Sequence, residues 1–247
     1  LPGHPATLSP VPKSLDPAVY SYLCNLYPNG LYAHQSAAIE SSMEGEDICL
    51  TTPTASGKSL VFLSISADIL RRSPEPCVLA LYPAKALIQD QLNKWREMLR
   101  PLGHNPGYID GAVATSERPG ILGRHRVVLM TPDVTHAWLM SNLQMPEVRR
   151  FLSRLGLLIL DEAHVYDGVF GTNMAYFLRR LQAVTGNFRL ISSTATIGEP
   201  ADFIDDLTGR RPRVFSAEDD GSFIPEKTIL LARYSPGNSF EQLIDFL

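Results

Sequence analysis

The sequence predicts an α/β domain built on a mainly parallel sheet with helices on both faces. Three observations carry that expectation. Short aliphatic runs alternate with segments of helical periodicity through the body of the chain, as consecutive β–α–β units require. Runs such as 77–82 (CVLALY) and 157–160 (LLIL) are apolar throughout, as strands buried on both faces must be. The conspicuous polar groups fall at the C-terminal ends of these runs, on the rim where open α/β sheets bind ligands.

The bulk numbers set limits. A chain of 247 residues, 45% of them hydrophobic, holds one large domain or one domain with an appendage. A net charge of −4 excludes a protein that is basic all over, but leaves room for a local positive groove. Cys24, Cys49 and Cys77 lack metal-ligand spacing. The last two lie in apolar runs, so buried thiols in a reducing, intracellular compartment (cytoplasmic or nuclear) are expected. No apolar run is long enough to span a bilayer and no signal peptide is evident, so no membrane partner is expected. The chain starts at Leu1 rather than Met, which fits a piece of a longer protein.

Residues 1–13 carry four prolines and little periodicity, and read as an extended arm. Asp16-Pro17 reads as an N-cap with Pro in the first helical turn. Val19, Tyr20, Leu23, Leu26 and Tyr27 follow at helical spacing until Pro28-Asn29-Gly30 breaks the pattern. Residues 31–43 read as a second helix carrying Tyr32 and Gln35. A glutamine amide can donate to and accept from an adenine edge at once, and a neighbouring aromatic can pack on the base. An exposed helix residue is the plainer alternative for Gln35.

Residues 48–59 (ICLTTPTASGKS) are the centre of the chain. An apolar run ends in a turn-rich stretch, Thr54-Ala55-Ser56-Gly57-Lys58-Ser59, and the helical segment LVFLSISADILRR follows at once. That strand–loop–helix order is the context of a phosphate-binding loop, whose backbone N–H groups and helix N-terminus form an anion nest. Lys58 would neutralise the β- and γ-phosphates, and Ser59 would place a hydroxyl on Mg²⁺. Thr52 stands where the consensus has its first Gly. The alternative is an ordinary turn with a solvated lysine.

The second centre is Asp161-Glu162, at the end of the aliphatic run LLIL. Adjacent carboxylates at the end of a buried strand are costly unless a cation or a water uses them. Asp161 is assigned to hold Mg²⁺, and Glu162 to orient or deprotonate an attacking water.

Other strand ends repeat the theme. Pro83-Ala84-Lys85 links strand 77–82 to helix 84–99, whose Leu87, Ile88, Leu92, Trp95 and Leu99 share a face. Residues 106–111 read as a short strand and turn ending at Gly111, and residues 112–125 as a polar stretch. Strand 126–130 leads to Thr131-Pro132-Asp133, which caps the next helix. Helix N-termini at such places hold nucleic-acid phosphates through backbone donors. Plain strand-to-helix turns remain the alternative. Residues 165–171 read as a loop, with Thr172 capping helix 173–185. Strand 188–193 ends in Thr194-Ala195-Thr196, whose hydroxyls could link the Mg²⁺ site to a nucleic-acid face or merely satisfy their own turn. A helix from Pro200 to Leu207, an exposed connection over 210–225, a strand over 226–233 and a helix opening at Ser239 complete the expectation.

Together these motifs resemble the first RecA-like motor domain of superfamily 2 helicases of the DEAD/DEAH-box kind, from about Leu31 to Ile197. Gln35 matches the Q motif, the GKS loop motif I, Pro83-Ala84-Lys85 motif Ia, and Thr131-Pro132-Asp133 motif Ib. Gly111 sits near the glycine motif. Asp161-Glu162-Ala163-His164 matches motif II, and Thr194-Ala195-Thr196 stands where Ser-Ala-Thr is usual. Ala55 replaces a frequent Gly. The strings LYAHQ, YPAKALIQDQ and DEAHVYDGVFG are similar to DNA-repair helicases of the mitomycin repair factor A and fungal RecQ-like group.

The resemblance implies ATP and Mg²⁺ as cofactors and single-stranded nucleic acid as partner, DNA rather than RNA, with 3′ to 5′ translocation. It also implies a second RecA-like domain bearing an arginine finger, which nothing after Ile197 supplies. Such a finger is worth about 10³–10⁵ in rate. The chain is therefore expected to bind ATP and hydrolyse it weakly by itself. Residues 1–30 are expected to form an arm and helix, 31–215 the ATP-binding domain, and 216–247 a connection toward the second motor domain. Two other readings stay open: an RNA helicase motor, and a non-hydrolysing ATP-dependent binding module.

Overall fold

The computed structural model describes residues 3–223, 225 and 226, apart from Thr54, Ala55 and Thr196. A short antiparallel pair, β1 (Leu8–Ser9) with β2 (Leu31–Tyr32), brackets α1 (Pro17–Leu26). Next come α2 (Ala33–Met43), β3 (Ile48–Leu50), α3 (Lys58–Arg72), β4 (Cys77–Leu81) and α4 (Lys85–Leu99). β5 (Gly107–Ile109), α5 (Arg118–Arg124), β6 (Val127–Met130) and the three-residue α6 (Pro132–Val134) follow. The chain closes with α7 (Pro146–Ser153), β7 (Leu155–Leu160), α8 (Gly168–Thr185), β8 (Arg189–Ser193), α9 (Pro200–Thr208) and β9 (Arg213–Phe215).

The main sheet has seven parallel strands in the order β5-β6-β4-β7-β8-β3-β9. β3, β4, β6 and β7 are apolar throughout because both faces of the sheet are covered. Along β7, Leu157 and Ile159 join one hydrophobic cluster, while Leu158 and Leu160 join the other. β4 divides in the same way, Val78 and Ala80 against Leu79 and Leu81. This two-residue alternation splits the core into two layers. The first holds Val19, Leu23, Phe62, Ile65 and Trp95 from α1, α3 and α4. The second holds Phe151, Met174, Phe177, Leu181 and Ile204 from α7, α8 and α9.

Several boundaries differ from expectation, each for a local reason. The N-terminal arm and α1 pack on the sheet, with Val11, Leu15, Val19 and Leu23 buried in the first core layer. Leu31 and Tyr32 pair as a strand with Leu8–Ser9, so the helix expected at 31 starts at Ala33. α8 begins at Gly168, five residues ahead of expectation, behind an Asp167 carboxylate that accepts from Gly168 N–H at 2.6 Å. Thr172, the expected cap, lies inside the helix and donates to the Gly168 carbonyl at 3.0 Å.

The helix expected after Thr131 is broken. α6 passes into a π-helical turn, Thr135–Leu139, and Thr135 Oγ1 bonds back to the Thr131 carbonyl at 2.8 Å. α5 and α7 emerge where no helix was marked, and α5 buries only Leu122. The exposed connection over 210–225 instead contributes β9, parallel to β3. The strand and helix expected over 226–233 and 239–247 fall, but for Glu226, outside the described residues. No described helix is long and apolar enough to cross a membrane.

Candidate functional site

The sheet order divides the rim. β7, β8 and β3 carry the acidic pair, the hydroxyl turn and the GKS loop, while the neighbouring strands β5, β6 and β4 carry Gly111, Thr131 and Pro83-Lys85. Apart from Tyr32 and Gln35, which belong to β2 and α2, the sequence-chosen groups that the structure describes thus sit on one rim of one sheet. The two groups of three strands meet where β4 pairs with β7.

The loop after β3 turns into α3 through Gly57, at φ 78° and ψ 29°. A side chain there would be strained in this left-handed conformation and would also collide with the Gln35 amide. Ser56 is buried, and its Oγ lies 2.6 Å from the Thr52 hydroxyl. Thr52, in the place of the consensus Gly, therefore closes the loop on itself. Lys58 opens α3 and donates to two carbonyls, Thr52 at 2.8 Å and Thr194 at 3.1 Å. In the first turn of α3 Leu60 N–H donates to the Gly57 carbonyl at 3.0 Å, and the N–H groups of Lys58 and Ser59 ahead of it point from the helix N-terminus toward the place an anion would take. Ser59 Oγ is 3.4 Å from the Gln91 amide oxygen. Thr54 and Ala55 lie outside the described residues.

Asp161 directly follows β7 and is almost fully buried. Burial pushes its carboxyl up, and the Glu162 charge adds to the shift. Hydrogen bonds from the Ser193 hydroxyl and the Glu162 N–H, together with the Lys58 charge, hold it down. Glu162 adopts φ 52° and ψ 45°, alone among described non-glycine residues in having positive φ. Such a conformation costs energy and persists only where its surroundings impose it. The Glu162 carboxylate is 3.3 Å from His164 Nδ1, which also accepts from Ala195 N–H at 3.2 Å. Thr194 Oγ1 is buried without a hydrogen-bond partner among the described residues, and Thr196 lies outside them.

The oxygens of Asp161 and Ser59 suit a hard cation. Among the described residues no group of three His, Cys, Asp or Glu side chains could hold a metal ion. Mg²⁺ is bound through one or two carboxylates plus phosphates and water, a donor set that the Asp161 carboxylate and the Ser59 hydroxyl fit.

Gln35 does not present a free amide. Its Oε1 accepts from Tyr32 N–H at 3.1 Å, and its Nε2 donates to the carbonyls of Ser56 and Gly57 at 3.2 and 3.1 Å. With both ends of the amide engaged, Gln35 braces the phosphate loop against Tyr32. Tyr32 and Gln35 line a cavity of about 530 Å³ with Tyr27, Pro28, Gly57 and Leu60. This apolar, aromatic-walled space borders the loop at Gly57. His34, which the sequence reading passed over, lies between the two. It is buried, and its Nε2 is 3.1 Å from the Ser56 carbonyl.

On the other half of the rim, Lys85 opens α4 in an exposed position, and the uncapped first turn of that helix follows Pro83 and Ala84. Lys85 lies beside Gly111, where an added Cβ would come within 3.3 Å of its Nζ. Thr131 and Pro132 are buried, which leaves Asp133 as the exposed side chain of its group.

A glycine-turned phosphate loop, a buried aspartate followed by a strained glutamate, and a hydroxyl turn on one parallel rim define a RecA-like nucleotide-binding domain. The chain belongs to the DEAD/DEAH box helicase family, whose model matches residues 32–203. It is 32% identical over 232 residues to the ATP-dependent helicase HRQ1 of Saccharomyces cerevisiae, covering 90% of this chain and 21% of that protein. With the uncharacterized ATP-dependent helicase YprA of Bacillus subtilis it shares 31% identity, covering 88% of this chain and 29% of the relative. The crystal structure of the DUF1998 helicase MrfA bound to DNA matches with a TM-score of 0.84 and 28% identity, over 90% of this chain and 32% of that one. The chain therefore spans less than a third of each of these relatives.

Proposed function

We propose that this chain is the ATP-binding half of an ATP-dependent DNA helicase or translocase motor. The observation that carries this reading is the junction at Lys58, whose ammonium joins the phosphate loop behind β3 to the turn behind the adjacent β8, whose Ser193 in turn bonds to Asp161 at the end of β7. Lys58 and the α3 N-terminus take the phosphates, and the aromatic-walled cavity beside Gly57 takes the base. Asp161 and Ser59 would hold Mg²⁺, which when bound neutralises charge developing on the phosphates. Glu162 orients or deprotonates the attacking water. Thr194 and Ala195 sense the occupied site through Lys58 and His164.

Lys85, Gly111 and the open first turn of α4 receive the strand's phosphates through charge and backbone donors. Those contacts carry no base information. The preference for DNA is supported by the relatives: the MrfA structure holds DNA, and an ATP-dependent DNA helicase Hel308 of Thermoplasma volcanium is 24% identical over 176 residues. A second RecA-like domain completes the motor, and the greater length of the relatives leaves room for it.

The deciding experiment is nucleotide titration and ATP turnover by this chain, with single-stranded DNA, with RNA and with neither, beside Lys58→Ala. Binding that needs Lys58, with slow turnover, supports the half-motor. Strong DNA-stimulated turnover by this chain would show that it completes its own site. Stimulation by RNA alone would favour the RNA reading.

A further inference from the structure

We infer that His34 is a positioning residue that couples the segment 216–222, behind β9, to the phosphate loop. The inference rests on the nucleotide site proposed above and adds a control over it.

The two ring nitrogens of His34 face different parts of the chain. Nε2 lies 3.1 Å from the Ser56 carbonyl, which can only accept, so Nε2 carries the hydrogen. Nδ1 then offers a lone pair, and the N–H of Gly221, 187 positions away, donates to it at 3.2 Å. The imidazole is thus a rigid bridge between a loop that would hold phosphate and a backbone amide far along the chain. It is 1% exposed, so water does not compete for either bond.

The far end of the bridge is built rather than incidental. Gly221 also accepts at its carbonyl from Thr7 N–H at 2.9 Å, and Thr7 in turn accepts from Ala33 N–H at 2.9 Å. A Cβ at Gly221 would lie 2.7 Å from the Thr7 oxygen and 2.9 Å from the Ala33 nitrogen, so only glycine fits without displacement. The segment braces itself as well. Ser216 N–H donates to Asp219, and Ser222 N–H to Asp220, at 2.8 and 2.9 Å. These bonds hold the segment in its docked shape.

The near end reaches both parts of the nucleotide site. Ser56 O is shared between His34 and Gln35, which also holds Gly57. The His34 ring stacks on Tyr32, a wall of the base cavity, with centroids 6.0 Å apart and planes 17° apart. When the segment is docked, His34 is held against Ser56 and the loop keeps its anion-binding shape. When it leaves, Nδ1 loses its donor, and the ring is free to turn away from the loop. Any force on the chain past β9 is thereby felt at the phosphates.

The test is a double-variant cycle on the full chain: His34→Phe, which keeps the ring but has no nitrogen, Gly221→Ala, and the pair together. The readout is the Kd for a fluorescent ATP analogue with Mg²⁺, with Lys58→Ala as control. Each single variant is expected to raise Kd about five- to tenfold, and the pair no more than the larger single, because both cut one connection. Multiplying effects would mean independent packing defects and would overturn the coupling. Singles within twofold of the parent, while Lys58→Ala loses binding, would overturn it and leave the nucleotide site standing. Undiminished binding by Lys58→Ala would overturn both. Should His34→Phe fail to fold, Gly221→Ala decides through the same Kd, since it lies outside the loop.

Discussion

Lys58 Nζ donates to the Thr194 carbonyl at 3.1 Å, joining the phosphate loop to the turn behind β8 across 136 positions. One ammonium thus serves two elements, and a phosphate that draws it outward must loosen Thr194. Lys58→Ala should therefore do more than remove a charge from the nucleotide. Charge-assisted hydrogen bonds contribute about 1.5–3 kcal/mol, or roughly 10- to 100-fold in Kd. Titration with a fluorescent ATP analogue checks this, and an unchanged Kd would remove Lys58 from the site.

Glu162 separates chemistry from binding. Its backbone strain belongs to position 162, and a glutamine keeps the shape while losing the basicity. Glu162→Gln should leave nucleotide affinity within about twofold and slow single-turnover hydrolysis by about 10²–10⁴. Retained hydrolysis would assign the water to another residue.

Asp161 sets stability against function. Burial raises its carboxyl, so the folded chain binds its proton more tightly than the unfolded chain does. That contribution is complete below the ordinary carboxylate value of about 3.9 and is lost as pH rises through the raised folded value. Near neutral pH the buried charge is therefore a net cost, and Asp161→Asn removes it while keeping an acceptor for Ser193. The variant should melt at a higher temperature without nucleotide and lose the Mg²⁺ dependence of nucleotide binding. In the parent, Mg²⁺ affinity should weaken on acidification at pH values above the ordinary carboxylate range. A lower melting temperature for Asp161→Asn would contradict this account.

The parts legible in the sequence were those written locally. β4 and β7 announced themselves as unbroken aliphatic runs, and Asp161-Glu162 and Gly57-Lys58-Ser59 followed directly from such runs. What escaped was either weakly patterned or distant. α5 buries one leucine in a polar stretch, too little for a helical period. β9 has three residues and is recognised only through its pairing with β3. Gln35 was visible, but its engaged amide was not, because its partners stand 21 and 22 positions on. His34 bonds to Gly221 across 187 positions, with no local signal at either end.

Trp95 and Tyr82 tie α4 to the end of β4, with Trp95 Nε1 donating to the Tyr82 hydroxyl at 2.9 Å inside the core. Tyr82→Phe keeps the ring but leaves a buried indole N–H unpaired, at a cost of about 1–3 kcal/mol. A chain of this size loses about 2–4 °C of Tm per kcal/mol. Thermal melting should show that loss, with nucleotide affinity unchanged. A melting temperature equal to the parent's would mean that the indole finds another acceptor.

Lys85 tests the other half of the rim. It is exposed at the start of α4 and lies beside Gly111, so its charge stands over the ends of β4 and β5 with no side chain at 111 to screen it. A single-strand phosphate bound there releases a counterion, and each such contact adds about 0.7 to the slope of log K against log salt. Lys85→Ala should weaken single-stranded DNA binding equally for all base compositions and flatten that slope by about 0.7, with nucleotide binding intact. Measurement at several salt concentrations separates this from a folding defect, which would lower affinity without changing the slope. A slope equal to the parent's would move the strand off this face, and a loss confined to one base composition would make Lys85 a reader of bases rather than a holder of phosphate.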